Sequence, residues 1–456
     1  MLLRRFILPV VLGVLAFVAA GLFGYGQYQA RRGLEILLGN KYQQAFYDFV
    51  GQVQSVEVLL AKSMVAADPR QNGALFTDIR QQAAAAQASL AQLPLSDITI
   101  TRTVKFLNQA GDYADSLARK TEEGRAVDAG DWETLDGLYR QAGDLNRELQ
   151  GIQAVMTTDG SFLRDLVREA GRKLRKPPVE PARGDFKTLD RQMQHYPALI
   201  YDGPFSEHLE RREPRGLNDL AGISREEAER IALEFLDKRP DTTYQVRVTG
   251  TNEGTIPAYR VELAPEGEPG TGEVIMDVSR RGGKITWLIS SRLTGDAVLD
   301  VDQAGAKAGR FLQERGYKNM QATYFLRHGD AVTFNFAATQ DGAVIYPDLV
   351  KATVALDNGE VTGVEATGYL MSHQKRALPQ PKLTLKQARA LLNPRLAVDG
   401  GRLAVIPAGP AGEEKLTYEF KGKLGDDTYL VYINAFNGRE EKILKLIEPP
   451  AGTLTM

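Results

Sequence analysis

The sequence predicts a multidomain α+β chain: an N-terminal transmembrane helix, an antiparallel helical bundle, then three small α+β repeats. Three observations carry this prediction. An uncharged run occupies Phe6 to Ala30, apolar residues recur with helical spacing from Leu34 to Arg172, and a helix-then-strands pattern starts at Ser224, Asp302 and Thr384. The expected segments are an anchor over 1–32, a bundle over 33–172 and a linker over 173–222. Repeats follow over 223–295, 296–376 and 377–456.

The anchor rests on length and apolarity. Arg4-Arg5 precede the uncharged run, and Phe6 to Phe23 is strongly apolar. At roughly 1.5 Å per residue such a helix crosses a ~30 Å hydrocarbon layer, with Tyr25 and Tyr28 at the interface. A cleaved signal peptide competes, because Val18-Ala19-Ala20 offers small residues before Gly21. The apolar run continues through Leu22 and Phe23, which favours an uncleaved anchor. Arg31-Arg32 balance Arg4-Arg5, and the free amino terminus tips the orientation toward N-inside, with the remainder extracytoplasmic.

The bundle rests on seams. Tyr42, Phe46, Phe49, Val53, Val56 and Leu60 alternate spacings of four and three, as do Leu135, Leu138, Ala142, Leu145, Leu149, Ile152 and Met156. Helices over Leu75–Leu93 and Ser96–Lys120 fit between them, and Asp159-Gly160 marks a turn into a fifth. Short connections predict antiparallel neighbours. Such a bundle is either a sensor or docking rod, or a passive stalk.

Arg172-Lys-Leu-Arg-Lys-Pro-Pro-Val-Glu-Pro-Ala-Arg183-Gly184 is a linker, since its prolines remove amide donors and hold the backbone extended. A second joint at Leu378-Pro-Gln-Pro381 sets off the third repeat, which is expected to be the most mobile.

Each repeat opens with an amphipathic helix carrying alanine. Ser224 with Glu227, and Thr384 with Gln387, fit capping boxes, and the Asp300-Val-Asp302 carboxylates suit a helix start. Strands follow at Tyr259–Leu263, Phe334–Ala338 and Tyr418–Gly422. Hairpins then turn at Gly282-Gly283, Asn358-Gly359 and Asn437-Gly438, dipeptides that supply positive φ. Repeat starts about 80 residues apart exceed a solenoid unit. Pro394 shortens the third helix.

Composition narrows the chemistry. A charge of −2 gives no basic face for nucleic acid, and the absence of cysteine removes disulfides, thiolate nucleophiles and cysteine zinc sites. His195, His208, His328 and His373 are scattered, and no Gly-x-Ser-x-Gly or phosphate-binding glycine loop occurs. No catalytic residue, metal ligand or cofactor site is assigned. A carboxylate pair assembled from different elements stays open as a glycosidase arrangement.

The most specific stretch is Leu199-Ile-Tyr-Asp-Gly-Pro-Phe-Ser-Glu-His208, a turn with aromatic residues on both sides. Placed after a helical region and before three repeats, it resembles the YpeB family of bacterial spore-germination proteins, and the repeats resemble PepSY domains. The resemblance covers essentially the whole chain. It implies a spore protein without catalysis that works with the spore-cortex-lytic enzyme SleB, each needed for the other's presence in the dormant spore. Both are tied to cortex peptidoglycan hydrolysis at germination. PepSY modules elsewhere restrain hydrolases, so by analogy these hold the enzyme inactive. Exposed strand edges, with Tyr201, Asp202, Gly203, Pro204 and Phe205, are the candidate partner-binding surface; the competing role for Tyr201 and Phe205 is to tie the linker to the first repeat. Localisation is expected at the spore inner membrane, on the cortex side. A membrane sensor, a general PepSY-type hydrolase inhibitor, and a peptidoglycan hydrolase in its own right are the alternatives.

Overall fold

In the computed structural model, residues 3–93, 97–158, 214–218, 220–237, 242–266, 272–408, 413–447 and 454–455 are described. They fall into a helical unit and a sheet-based unit.

The helical unit contains α1 (Leu3–Val65), α2 (Pro69–Leu90), α3 (Asp97–Glu122) and α4 (Ala129–Thr158). The seams govern what is buried: Phe46, Phe49, Val53, Val56 and Leu60 on α1, and Leu135, Leu138, Ala142 and Leu149 on α4, are all withdrawn from solvent. Between α4 and α1, Asn146 Nδ2 donates to Glu57 Oε2 at 2.7 Å. Small residues set the α2–α3 distance. Ala83, Ala86, Ala110 and Ala114 are buried, and a Cβ on Gly111 would lie 3.6 Å from Ala83 while one on Gly73 would lie 3.2 Å from Thr121. The pairings 73 with 121 and 83 with 111 make the two helices antiparallel.

Helix α1 runs without interruption across residue 32, the expected boundary between anchor and bundle. The expected anchor falls where, apart from Tyr25 and Gln29, the side chains lie outside the described residues. Among the described residues no helix is long and apolar enough to cross a membrane. The fifth helix and the 172–184 linker also lie outside them.

Among the described residues the second unit holds one 13-stranded sheet. Helix α5 (Arg225–Phe235) precedes β1 (Tyr244–Asn252), β2 (Ala258–Pro265), β3 (Val274–Ser279) and β4 (Ile285–Ser290). Helix α6 (Val301–Glu314) precedes β5 (Met320–His328), β6 (Ala331–Gln340), β7 (Ala343–Ala355) and β8 (Val361–Glu365), with α7 (Thr367–Ser372) after them. Helix α8 (Leu385–Arg389) precedes β9 (Ala397–Ala408), β10 (Glu413–Leu424), β11 (Asp427–Asn434) and β12 (Glu440–Ile447). Strand β13 (Leu454–Thr455) pairs with β12.

Register explains the two faces. Val248, Val261, Met276, Leu288, Val364, Ala352, Phe334 and Phe325 are successive cross-strand partners from β1 to β5, and all belong to or pack against one core under α5 and α6. The row beside it reads Arg260, Asp277, Trp287, Glu365, Lys351, Asn335 and Tyr324. Successive residues point to opposite faces, so one row closes the core and the next, with Arg260 bidentate on Asp277 at 2.9 Å, lies on the far face. Alanines Ala228, Ala232, Ala304 and Ala308 are fully buried and let the helices sit close to the strands.

The helix starts follow the sequence with two adjustments. Thr384 and Gln387 form the full capping box, whereas Ser224 Oγ accepts from the Glu227 amide at 3.2 Å without the reciprocal bond. In the middle segment the cap is Asp300, not Asp302, and Gln303 completes the box. The three expected hairpins occur, with φ of +74° at Gly282 and +81° at Gly359.

Two expectations change. Among the described residues the opening helix of each segment is followed by at least four strands instead of three, with the short β13 added in the last, because β1, β5 and β9 precede the expected strands. The third segment is not set off by the Pro379–Pro381 joint. Strand β7 pairs in parallel with β9 through Ala343–Leu403, Val344–Ala404 and Ile345–Val405, and the sheet runs on unbroken.

Candidate interaction site

The joint between the second and third segments is built around a bulge in β7. Ala337 and Ala338 are adjacent on β6, yet their partners are Leu349 and Ile345, so Tyr346-Pro347-Asp348 has no counterpart on β6. Proline cannot donate to a ladder, which favours a bulge here. Upstream of the bulge β7 borders β9; downstream it borders β8.

The bulge turns two polar side chains into buried surroundings, and each finds partners from the third segment or from the chain leading to it. Asp348, 1% exposed, accepts from Arg376 Nη1 at 2.9 Å and Nη2 at 2.8 Å, and lies 2.7 Å from His373 Nδ1. Arg376 also donates to Glu414 at 2.6 and 2.8 Å, and to the carbonyls of Ser372 and Gln374. Burial works against the guanidinium charge, but the bonds to Glu414 and Asp348 outweigh it and hold the Arg376 pKa above its ordinary value. His373 stacks on Tyr369 with centroids 4.1 Å apart, and burial followed by the Asp348 charge pushes the Tyr369 hydroxyl up to about 12. Tyr346 Oη donates to Glu419 Oε2 at 2.5 Å, and Arg402 donates to the other oxygen at 2.8 Å. Burial and the Glu419 charge keep Tyr346 protonated well beyond its usual range.

These groups are spent on one another. Carboxylate meets guanidinium in bidentate geometry, the arrangement that lets buried charge persist. Among the described residues no group of three or more histidine or carboxylate side chains could hold a metal ion.

The sheet ends at β1. Among the described residues no strand pairs with its outer side, and its residues alternate between half-buried and exposed. The Glu229 carboxylate accepts from the outward Val248 amide at 2.8 Å, and the ladder slips between Val248 and Gly250. A carboxylate cap and a bulge blunt this part of the edge and leave Tyr244 to Val246 as its regular stretch.

The sequence-proposed residues Tyr201, Asp202, Gly203, Pro204 and Phe205 lie outside the described residues, as do His195 and His208. His328 is exposed at the end of β5. His373, one of the four scattered histidines, is part of the joint. Its partner Asp348 is 25 residues away, so local spacing does not reveal the pair. Pro347 inside an apolar run is the one local signal that points to the bulge.

Comparison with known proteins places this geometry. The model described as YpeB N-terminal matches residues 30–163, and that described as YpeB sporulation, PepSY1 and PepSY2 domains matches 182–379. A sporulation protein YpeB from Halalkalibacterium halodurans is 29% identical over 449 residues, covering 96% of this chain and 97% of that protein. The chain belongs to the YpeB family. A YpeB from Bacillus subtilis is 28% identical, with 97% of each chain covered. Residues 382–444, which hold the third segment, match the model described as peptidase propeptide and YPEB domain. The Bacillus megaterium YpeB C-terminal domain, a solved structure, is 30% identical; the match covers 50% of this chain and 99% of that one with a TM-score of 0.44.

Proposed function

We propose that this chain is a non-catalytic accessory protein of the spore. It binds a SleB-like spore-cortex-lytic enzyme, stabilises and localises it, and restrains it until the cortex peptidoglycan is hydrolysed at germination. The observation that supports this reading is similarity to sporulation proteins YpeB along almost the whole chain. The model matching 382–444 groups YpeB with peptidase propeptides, segments that accompany a hydrolase.

On this reading the three helix-plus-four-strand segments are PepSY modules joined into one rigid sheet. The Phe6–Ala30 run is the membrane anchor, which puts the sheet on the cortex side of the spore inner membrane. The outer side of β1 at Tyr244–Val246 suits addition of an extended strand from the partner, since among the described residues no strand pairs with it there.

The test is an immunoblot for the cortex-lytic enzyme in dormant spores lacking this chain. Its absence supports a stabilising and localising role. A normal amount, with normal timing of cortex hydrolysis, overturns the proposal.

A further inference from the structure

Resting on the partner-binding reading above, we infer that the connection from β4 to α6 is a preformed docking loop, whose Leu293 and Val298 enter an apolar cleft with a basic rim on a partner protein. Among the large apolar side chains of the described residues these two are the most exposed, at 86% and 78%. Single exposed apolar residues are ordinary. What distinguishes this pair is the backbone that carries them.

Residues 291–299 form no helix or strand, yet they are clamped onto the β7–β8 turn. Arg292 donates to Asp357 at 2.8 and 2.6 Å and to Asn358 at 3.1 Å, and it forms an ion pair with Glu360 at 2.9 Å. The Gly295 amide donates to Asp357 at 2.8 Å, and the Val298 and Leu299 amides donate to the Leu356 carbonyl at 3.0 and 2.8 Å. Leu356 is fully buried in the main core, so the clamp is fixed to the core of the sheet. Leu299 turns inward against that core, while Leu293 and Val298 stay outside. A loop ordered before binding loses little entropy when its side chains are buried, so the apolar gain goes to affinity.

Charge selects the occupant. Asp296, Asp300 and Asp302 are exposed and close in sequence to the two apolar residues, while Arg292 is consumed by Asp357 and Glu360 and Lys307, which reaches the same turn, donates to the Asn358 carbonyl at 2.7 Å. An acidic margin disfavours an anionic lipid surface and favours lysine or arginine on a protein.

The test uses the full chain, purified in detergent, with the cortex-lytic enzyme as probe. Leu293→Ser with Val298→Ser should weaken binding at least about tenfold and leave the melting temperature unchanged, because both side chains already face solvent. Asp296→Asn with Asp302→Asn should weaken binding and reduce its salt dependence. Wild-type binding that the serine variant retains overturns this inference alone. A serine variant that melts earlier overturns it too, since the side chains would then be packing within the chain. Binding to anionic vesicles that the serine variant loses would assign the loop to lipid and overturn the protein partner. If the unsubstituted chain binds no enzyme, the proposed function fails and this inference falls with it.

Discussion

Substituting Asp348 by asparagine tests whether the buried joint holds the third segment to the second. Asp348 accepts two bonds from Arg376 and lies within hydrogen-bond distance of His373. Asparagine keeps the shape but loses the charge, and its amide group turns donors toward donors. Breaking a buried pair costs about 3–5 kcal/mol, and Arg376 retains both bonds to Glu414, so the lower end applies: about 3 kcal/mol. With a urea slope of about 3 kcal/mol/M for a unit of this size, the midpoint should fall by about 1 M. Trp287 on β4 reports the sheet if Trp132 of α4 is first replaced by phenylalanine. Arg376→Leu should cost more than Asp348→Asn, because it strands Asp348 and Glu414 together. Replacing all three by apolar residues of similar volume should restore most of the loss. A midpoint shift below about 0.3 M for Asp348→Asn would refute the reasoning, since the joint would then be solvated enough to tolerate a missing charge.

Three further outcomes follow from local geometry. Gly359→Ala should destabilise the sheet by about 1 kcal/mol in the same urea assay, because φ there is +81° and the atoms a new Cβ would meet belong to the flexible Lys307 side chain. The hydrogen bonds from Arg292 lower the Asp357 pKa to about 2, against the opposing effect of burial. A depressed carboxylate contributes stability that is full above its unfolded value near 4 and is lost as pH falls through about 2; after solvent screening that is about 1 kcal/mol, and Asp357→Asn should remove this acid-dependent part of the urea midpoint. Gly111→Ala should raise the helical unit's thermal midpoint in circular dichroism by up to about 1 kcal/mol of stability, since its Cβ meets Ala83 at an ordinary 3.6 Å, whereas Gly111→Leu should cost about 1–3 kcal/mol by forcing α2 and α3 apart.

Local chemistry was legible in the sequence. Heptad spacing identifies the buried faces of α1 and α4, and turn dipeptides with positive φ place three hairpins. A further hairpin at Asp341-Gly342, with φ of +50° and +79°, carries the same signal. Strands β1, β5 and β9 lie beyond the three expected per segment, although on β1 the signal is present: Gln245, Arg247 and Thr249 alternate with Tyr244, Val246 and Val248, the pattern of a half-buried strand. The joint, by contrast, was illegible. Asp348 and Arg376 are separated by the end of β7, a hairpin turn, β8 and α7, so the distance that matters is set by how the sheet closes. The prolines at 379 and 381 limit local backbone freedom and mark a joint between segments; whether a joint moves is decided by what flanks it, and here a parallel ladder and a buried ion cluster do.

That distinction bears on how a binding surface on the sheet can be mapped. Strand β7 contacts β6 along one side and both β8 and β9 along the other. Deleting the chain after residue 377 would remove β9, expose the Ala343–Ile345 edge and leave Asp348 and Arg376 without Glu414. A truncation that loses partner binding would therefore not locate the partner on the third segment, because the middle segment is damaged too. Substitutions confined to solvent, at Leu293 and Val298 or along Tyr244–Val246, separate contact from folding: binding that falls while the urea midpoint holds assigns the surface, and binding that falls with the midpoint does not.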